Sequence, residues 1–159
     1  MRQPPQHRIA VDAIKAWRIT EVIVMVILLL LVIASFIVGH FFDWALWIPF
    51  TALAVWGVLA YLMIFLIPVV RWRRWRYEVF DQEIYVQHGI LIVSRTLVPM
   101  IRVQHVDTKQ GPILKRFNLS NLTVSTAATI HEIPALPQEE AAALRDQISE
   151  LARVDEDDV

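Results

Sequence analysis

Hydrophobic and polar positions divide this 159-residue chain into unlike regions. From Val22 to Phe42 run 21 residues with no Asp, Glu, Lys or Arg: VIVMVILLLLVIASFIVGHFF. From Trp44 to Val70 run 27 more: WALWIPFTALAVWGVLAYLMIFLIPVV. A bilayer core about 30 Å thick needs about 20 mainly apolar residues in a helix, so each stretch predicts one spanning helix. The second is longer than needed, which predicts tilt or an interfacial end. Pro49 and Pro68 fall in its first and last turns, where a missing backbone donor is tolerated better than mid-helix. Only the tight link Gly39–Trp44 separates the stretches, so together they predict a transmembrane hairpin. The first stretch is too long for a signal-peptide core, starts after twenty residues, and has no small-x-small cleavage site behind it.

After Arg76 the pattern changes from continuously apolar to period two, the mark of half-buried strands. Tyr77 and Val79, with Asp81, alternate against Glu78 and Phe80, then Asp81-Gln82-Glu83 reads as a turn. Ile84, Val86 and His88 form a second strand, broken by Gly89. Ile90–Val98 reads as a third, ended or placed at an edge by Pro99. Arg102–Lys109 reads as a fourth, with Val103, His105, Asp107 and Lys109 on one face, and Gln110-Gly111-Pro112 breaks it. Ile113–Phe117 reads as one short helical turn, Leu119–Ser125 as a strand, residues 126–129 as a hairpin loop, and Thr129–Ile133 as a last strand. Pro137 suits a helix start, Glu139 and Glu140 suit its positive end, and Ala141, Leu144, Ile148 and Leu151 form the buried stripe. The expected fold class is a two-helix transmembrane hairpin plus an α+β domain: a strongly bent antiparallel sheet or partial barrel with a C-terminal helix. The segments are 1–20, an N-terminal cytoplasmic or interfacial piece; 21–43 and 44–70, the spans; 71–76, a basic juxtamembrane piece; 77–153, the domain; and 154–159, an acidic tail expected to be disordered.

Charge adds an orientation. Residues 1–76 hold eight Lys/Arg against three Asp/Glu, a balance of +5, and residues 77–159 hold seven against thirteen, a balance of −6. An acidic domain argues against nucleic acid as a partner. Arg2, Arg8, Lys15 and Arg18 precede the first span, and Arg71, Arg73, Arg74 and Arg76 follow the second in the run RWRRWR, whereas the link carries one acid and no base. Lys and Arg resist translocation, so both termini are expected in the cytoplasm. Trp17, Trp44, Trp72 and Trp75, with Arg18, sit near the ends of the spans and are expected to anchor the interfaces. Ile9, Ala13 and Trp17 fall on one helical stripe, which fits either an interfacial helix over 9–20 or a continuous extension of the first span. The four arginines are either topology anchors or contacts to anionic lipid. With no cysteine, disulfides and thiol chemistry are excluded.

The block from Pro99 to Ala127 then carries a resemblance. RVQHVD at 102–107, QGP at 110–112, LKRF at 114–117, LTVSTA at 122–127 and IPALPQEEA before the last helix resemble the bacterial pleckstrin-homology-like (PH-like) domain, in the layout of YdbS-type membrane proteins. The family pattern has glycine where this chain has Asn118, a residue that also tolerates the left-handed conformation. The resemblance implies a PH-like partial barrel with a C-terminal helix in a multi-pass protein of the bacterial plasma membrane. It also implies a heteromeric complex with a larger multi-span paralogue of YdbT type, and a role in envelope stress or antimicrobial-peptide resistance. It does not imply phosphoinositide binding. Its signature residues, Arg102, Gln104, His105, Asp107, Gln110, Gly111 and Pro112, become candidates for partner contact.

No catalytic constellation competes with this reading. His105 and Asp107 lie two apart on one strand face, but two ligands without a third make a weak metal site. His88 with Glu83 or Glu78 is weaker. His131-Glu132 lacks a second helical histidine, Ser94, Ser120 and Ser125 lack a nucleophile setting, and four glycines form no phosphate loop. His40 sits at the outer edge of the first span, and neither span holds an internal charge, which argues against a transporter acting alone. No cofactor, metal or enzymatic activity is therefore expected. Three functions remain: a membrane-anchored interaction module that binds another membrane protein or itself; an anionic-lipid sensor using Arg71, Arg73, Arg74 and Arg76 with Lys115 and Arg116; and an accessory subunit of a transporter or enzyme.

Overall fold

The structure, a computed structural model, describes residues 4–157. It divides into two compact units, Trp17–Val69 and the remainder of the chain on either side of it.

The first unit is helical. Helix α1 is Ala13–Phe41, and a short link follows in which Asp43 adopts φ 50°. Helix α2 (Trp47–Tyr61) continues through a five-residue π-helical turn, Leu62–Leu66, into α3 (Ile67–Arg74). Both α1 and the continuous helix Trp47–Arg74 are long and apolar enough to cross a membrane. Helix α1 runs from Ala13 without a break, and Ile9 precedes it. The π turn has a local cause. A proline ring meets the carbonyl four residues back, here Ile64, and an inserted residue re-aims that carbonyl. The turn ends just before Pro68, and Ile67 donates to Leu62, five residues back. Between the two helices, the Trp56 indole N–H donates to the Met25 carbonyl at 3.0 Å, and Phe36 meets Phe50 edge-on at 5.4 Å.

The second unit holds two antiparallel sheets. One has the order β1-β2-β3-β4, from β1 (His7–Arg8), β2 (Arg76–Val79), β3 (Glu83–His88) and β4 (Ser94–Pro99). The other has the order β5-β6-β7, from β5 (Val103–Lys109), β6 (Leu119–Thr126) and β7 (Ile130–Pro137). The sheets do not close into one barrel. A 3-10 turn, Met100–Arg102, joins them. Helix α4 (Pro112–Arg116) fills the β5–β6 connection, and α5 (Gln138–Asp157) packs on β5, β6 and β7. Tyr77, Ile84, Val98, Met100, Leu122, Val124, Ile133, Leu136, Ala141 and Ile148 are buried, drawn from both sheets, the 3-10 turn and the predicted helix stripe.

Several expectations change. Residues 90–93 are not strand: β3 and β4 pair from His88↔Ser94 outward, and Gly89 at φ +129° turns the chain into a loop. A β-bulge between Val103 and His105 moves Val103 off the His105–Asp107–Lys109 face. Pairing with Thr126 sets Val103 on the opposite face, the one that Val106 shares with buried Val124. Strand β7 runs on through Pro137, so α5 starts at Gln138. The extension contains a second bulge, where Ala135 sits at φ 52°. Helix α5 continues to Asp157, where a disordered tail is expected, and Asp158 and Val159 lie outside the described residues, as does Arg2. Asn118 adopts φ 53°, the left-handed turn in which Asn substitutes for glycine.

One element was not expected at all. His7 and Arg8 pair with Tyr77 and Arg76, so the N-terminal segment supplies an edge strand to the domain's sheet. Ile9 is buried, its carbonyl accepts the Trp72 indole N–H at 3.1 Å, and Ala10 donates to the Ala135 carbonyl at 3.2 Å.

Candidate interaction surfaces

The signature residues separate into two groups. Arg102, Gln104 and His105 come together on one wall of an open cleft of about 1330 Å³ between the edges of β4 and β5. The Thr126–Thr129 hairpin, His131, and Ser149, Ala152 and Arg153 from α5 line it as well. The hairpin is rigidly built: Thr126 Oγ1 accepts the Thr129 N–H at 3.1 Å, and Thr129 Oγ1 lies 2.9 Å from His131 Nε2. Among the described residues, strand β5 bonds to β6 on one side only, which leaves its other edge as a row of backbone donors and acceptors.

The second group is structural. Gln110 donates to the Leu119 carbonyl at 2.9 Å and to Gln138 Oε1 at 3.3 Å, tying the loop after β5 to β6 and α5. Gly111 is the N-cap of α4 and Pro112 its first residue, so QGP builds a turn. Asp107 lies further along β5, exposed and outside the cleft lining.

The basic run also divides. Arg71 and Arg73 are exposed on α3. Arg76 is the first residue of β2. Arg74 donates to the Leu91 carbonyl at 3.3 Å. The two tryptophans between the arginines both contact the domain. Trp75 is 7% exposed and stacks on His88 at 5.3 Å. Trp72 lies under the Arg8 guanidinium at 5.7 Å and is tied to Ile9. Of the other expected anchors, Trp44 is exposed in the link between α1 and α2, and Trp17 is half-buried in α1. Arg18 places its guanidinium 5.7 Å from the Phe65 ring centroid. Lys115 and Arg116 are exposed on α4, which packs against β6, in the sheet that Arg76 does not join. Among the described residues no three His, Asp or Glu side chains gather as a metal site.

Comparison with known proteins places this architecture. The family model for the bacterial PH domain matches residues 9–152. The chain belongs to the bacterial PH domain family. The match starts at Ile9, inside the N-terminal segment that the structure folds into the domain. The UPF0699 transmembrane protein YdbS of Bacillus subtilis (strain 168) is 51% identical over 159 residues, all of both chains. The UPF0699 transmembrane protein YdbT of the same organism is 26% identical over 96 residues, which is 57% of this chain and 20% of that one. No solved structure matches. With a full-length transmembrane relative and two apolar helices of spanning length, this bacterial PH domain protein is a membrane protein.

Proposed function

We propose that this protein is a non-enzymatic, membrane-anchored interaction module. It is a plasma-membrane hairpin with both termini in the cytoplasm, and its PH-like domain docks a larger multi-span paralogue of YdbT type. The observation that carries the reading is the free edge of β5 beside the cleft that gathers Arg102, Gln104 and His105. An exposed edge strand with pockets at its flank is a template for an added strand, where backbone bonds supply affinity and side chains supply choice. Likeness to part of YdbT supports a paralogue with a related domain as the partner. The basic flanks of both spans support the orientation. A role in envelope stress or antimicrobial-peptide resistance follows from the family resemblance.

Co-expression of the tagged full chain with such a paralogue, extraction in mild detergent and size-exclusion chromatography test the proposal. One co-migrating complex is expected. A chain that purifies only as monomer, with no second membrane protein attached, sinks it.

A second reading, anionic-lipid sensing, is favoured by exposed Arg71 and Arg73 at the end of α3. Equal behaviour in neutral and anionic vesicles counts against it.

A further inference from the structure

The loop Gly89–Val93 between β3 and β4 is apolar where a hairpin loop is normally built from polar turn residues. Leu91 is 92% exposed and Ile92 85% exposed, and Ile90 and Val93 are exposed beside them. The loop is also tightly built. Gly89 takes φ +129°, and a Cβ there would lie 1.9 Å from the Ile92 carbonyl oxygen. The chain therefore folds back on Gly89 with its backbone, and the aliphatic side chains are left outside.

The loop tip is tied to one place. Arg74 Nη1 donates to the Leu91 carbonyl at 3.3 Å. The Arg74 carbonyl accepts from Gln87 Nε2 at 3.4 Å, and Gln87 Oε1 accepts from Arg95 Nε at 3.0 Å. His88, the residue before Gly89, stacks on Trp75. Arg74 is the last residue of α3 and follows Val70, the end of the apolar stretch, by four residues. Four helical residues rise about 6 Å, which is the depth of the headgroup layer beyond the hydrocarbon.

We propose that Gly89–Val93 is a membrane-insertion loop. Leu91 and Ile92 enter the boundary between headgroups and acyl chains in the leaflet from which α3 emerges, and the guanidinium groups of the 71–74 run meet the phosphates around them. The occupant is lipid because the Leu91 backbone is bonded to a residue that chain connectivity holds at the headgroups. The chemistry has the same order as the interface: aliphatic tip for the acyl layer, cations for the anionic layer. This surface is separate from the cleft beside β5, so lipid contact and partner docking do not compete for the same residues.

The chain has no cysteine, so Leu91→Cys gives one labelling site in the full-length protein. A nitroxide label there is studied in phosphatidylethanolamine–phosphatidylglycerol vesicles, with collision reagents on both sides of the bilayer. The reference is a label at Glu139→Cys, on an exposed position of α5. The expected result is a several-fold preference for oxygen over a water-soluble nickel chelate at 91, relative to 139, and the same preference at Ile92→Cys. Adding Gly89→Ala to the labelled chain should reduce the preference. Equal nickel access at 91 and 139 overturns the proposal. A label shielded from both reagents also overturns it, because protein, a second copy or a partner, then covers the loop.

Discussion

The Tyr77 hydroxyl donates a hydrogen bond to Glu140 Oε1, joining β2 to the first turn of α5. The two residues are 63 apart in sequence, and Tyr77 is among the most deeply buried side chains. The bond fastens the start of the C-terminal helix to the sheet that the other side of the chain feeds with β1. It also gives the buried phenol the partner that a polar group removed from water needs.

Tyr77→Phe keeps the ring and removes the bond. A hydrogen bond to a charged acceptor contributes about 1.5–3 kcal/mol, so the variant should unfold at a lower temperature by a comparable stability loss. Thermal unfolding of the detergent-solubilised full chain, followed by near-ultraviolet circular dichroism, reads this. An unchanged midpoint would mean that the bond adds nothing.

The same contact makes stability sensitive to alkali. Burial pushes the Tyr77 phenol well above its usual value, and the bond to Glu140 and that residue's charge push it further. The folded state thus favours the neutral phenol. This stabilisation is complete below the unfolded-state value of about 10 and is lost as pH rises from there towards the folded-state value. Wild type should lose stability above pH 10 more steeply than Tyr77→Phe, measured as denaturant midpoints across that range. Parallel curves would contradict the assignment.

The bulge in β7 depends on Asn121. Its Oδ1 accepts the N–H of Ala135 at 2.9 Å, and Ala135 is fully buried at φ 52°. Asn121→Ala leaves that N–H without an acceptor, at a cost of about 1–3 kcal/mol. Ala135→Gly, which accepts positive φ without strain, should recover part of the loss in the double variant. Urea unfolding of all three proteins checks both statements.

Deleting residues 1–8 should damage the domain and not only shorten a tail. The deletion removes β1, uncovers Tyr77 and leaves the β2 edge unpaired. Faster proteolysis and a tendency to aggregate are expected, because unpaired edges recruit other strands. A truncated chain with native protease resistance would show that β1 is dispensable.

Arg102→Glu with His105→Glu reverses the charge on one wall of the cleft without touching the core, since both side chains are exposed. Pull-down of the multi-span paralogue should fall at least tenfold while the thermal midpoint stays within a few degrees. Undiminished capture would move the docking surface elsewhere on the domain.

Much of the domain was readable because local pattern and local structure coincide. Gly111-Pro112 opens α4, Asn118 takes the left-handed turn, and Ala141, Leu144, Ile148 and Leu151 keep helical spacing over the sheet. Readings failed where a single backbone torsion intervened. Ile90–Val93 has strand composition, but Gly89 at φ +129° redirects it into a loop. The cleft was half legible: Arg102, Gln104 and His105 stood out as a motif, while Ser149, Ala152 and Arg153 carried no mark that would pair them with it.

By itself, the sequence determined what depends on composition and near neighbours. Two charge-free stretches of spanning length, the basic residues flanking them and the period-two region that follows need no contact beyond a few residues to be recognised. Tertiary structure decided which residues meet across distance. A two-residue strand such as His7–Arg8 has no periodicity to read, and its pairing with Arg76 and Tyr77 exists only once the chain returns. Trp72 and Trp75 stand in one basic run, and only the fold brings the Ile9 carbonyl to the first and the His88 ring to the second.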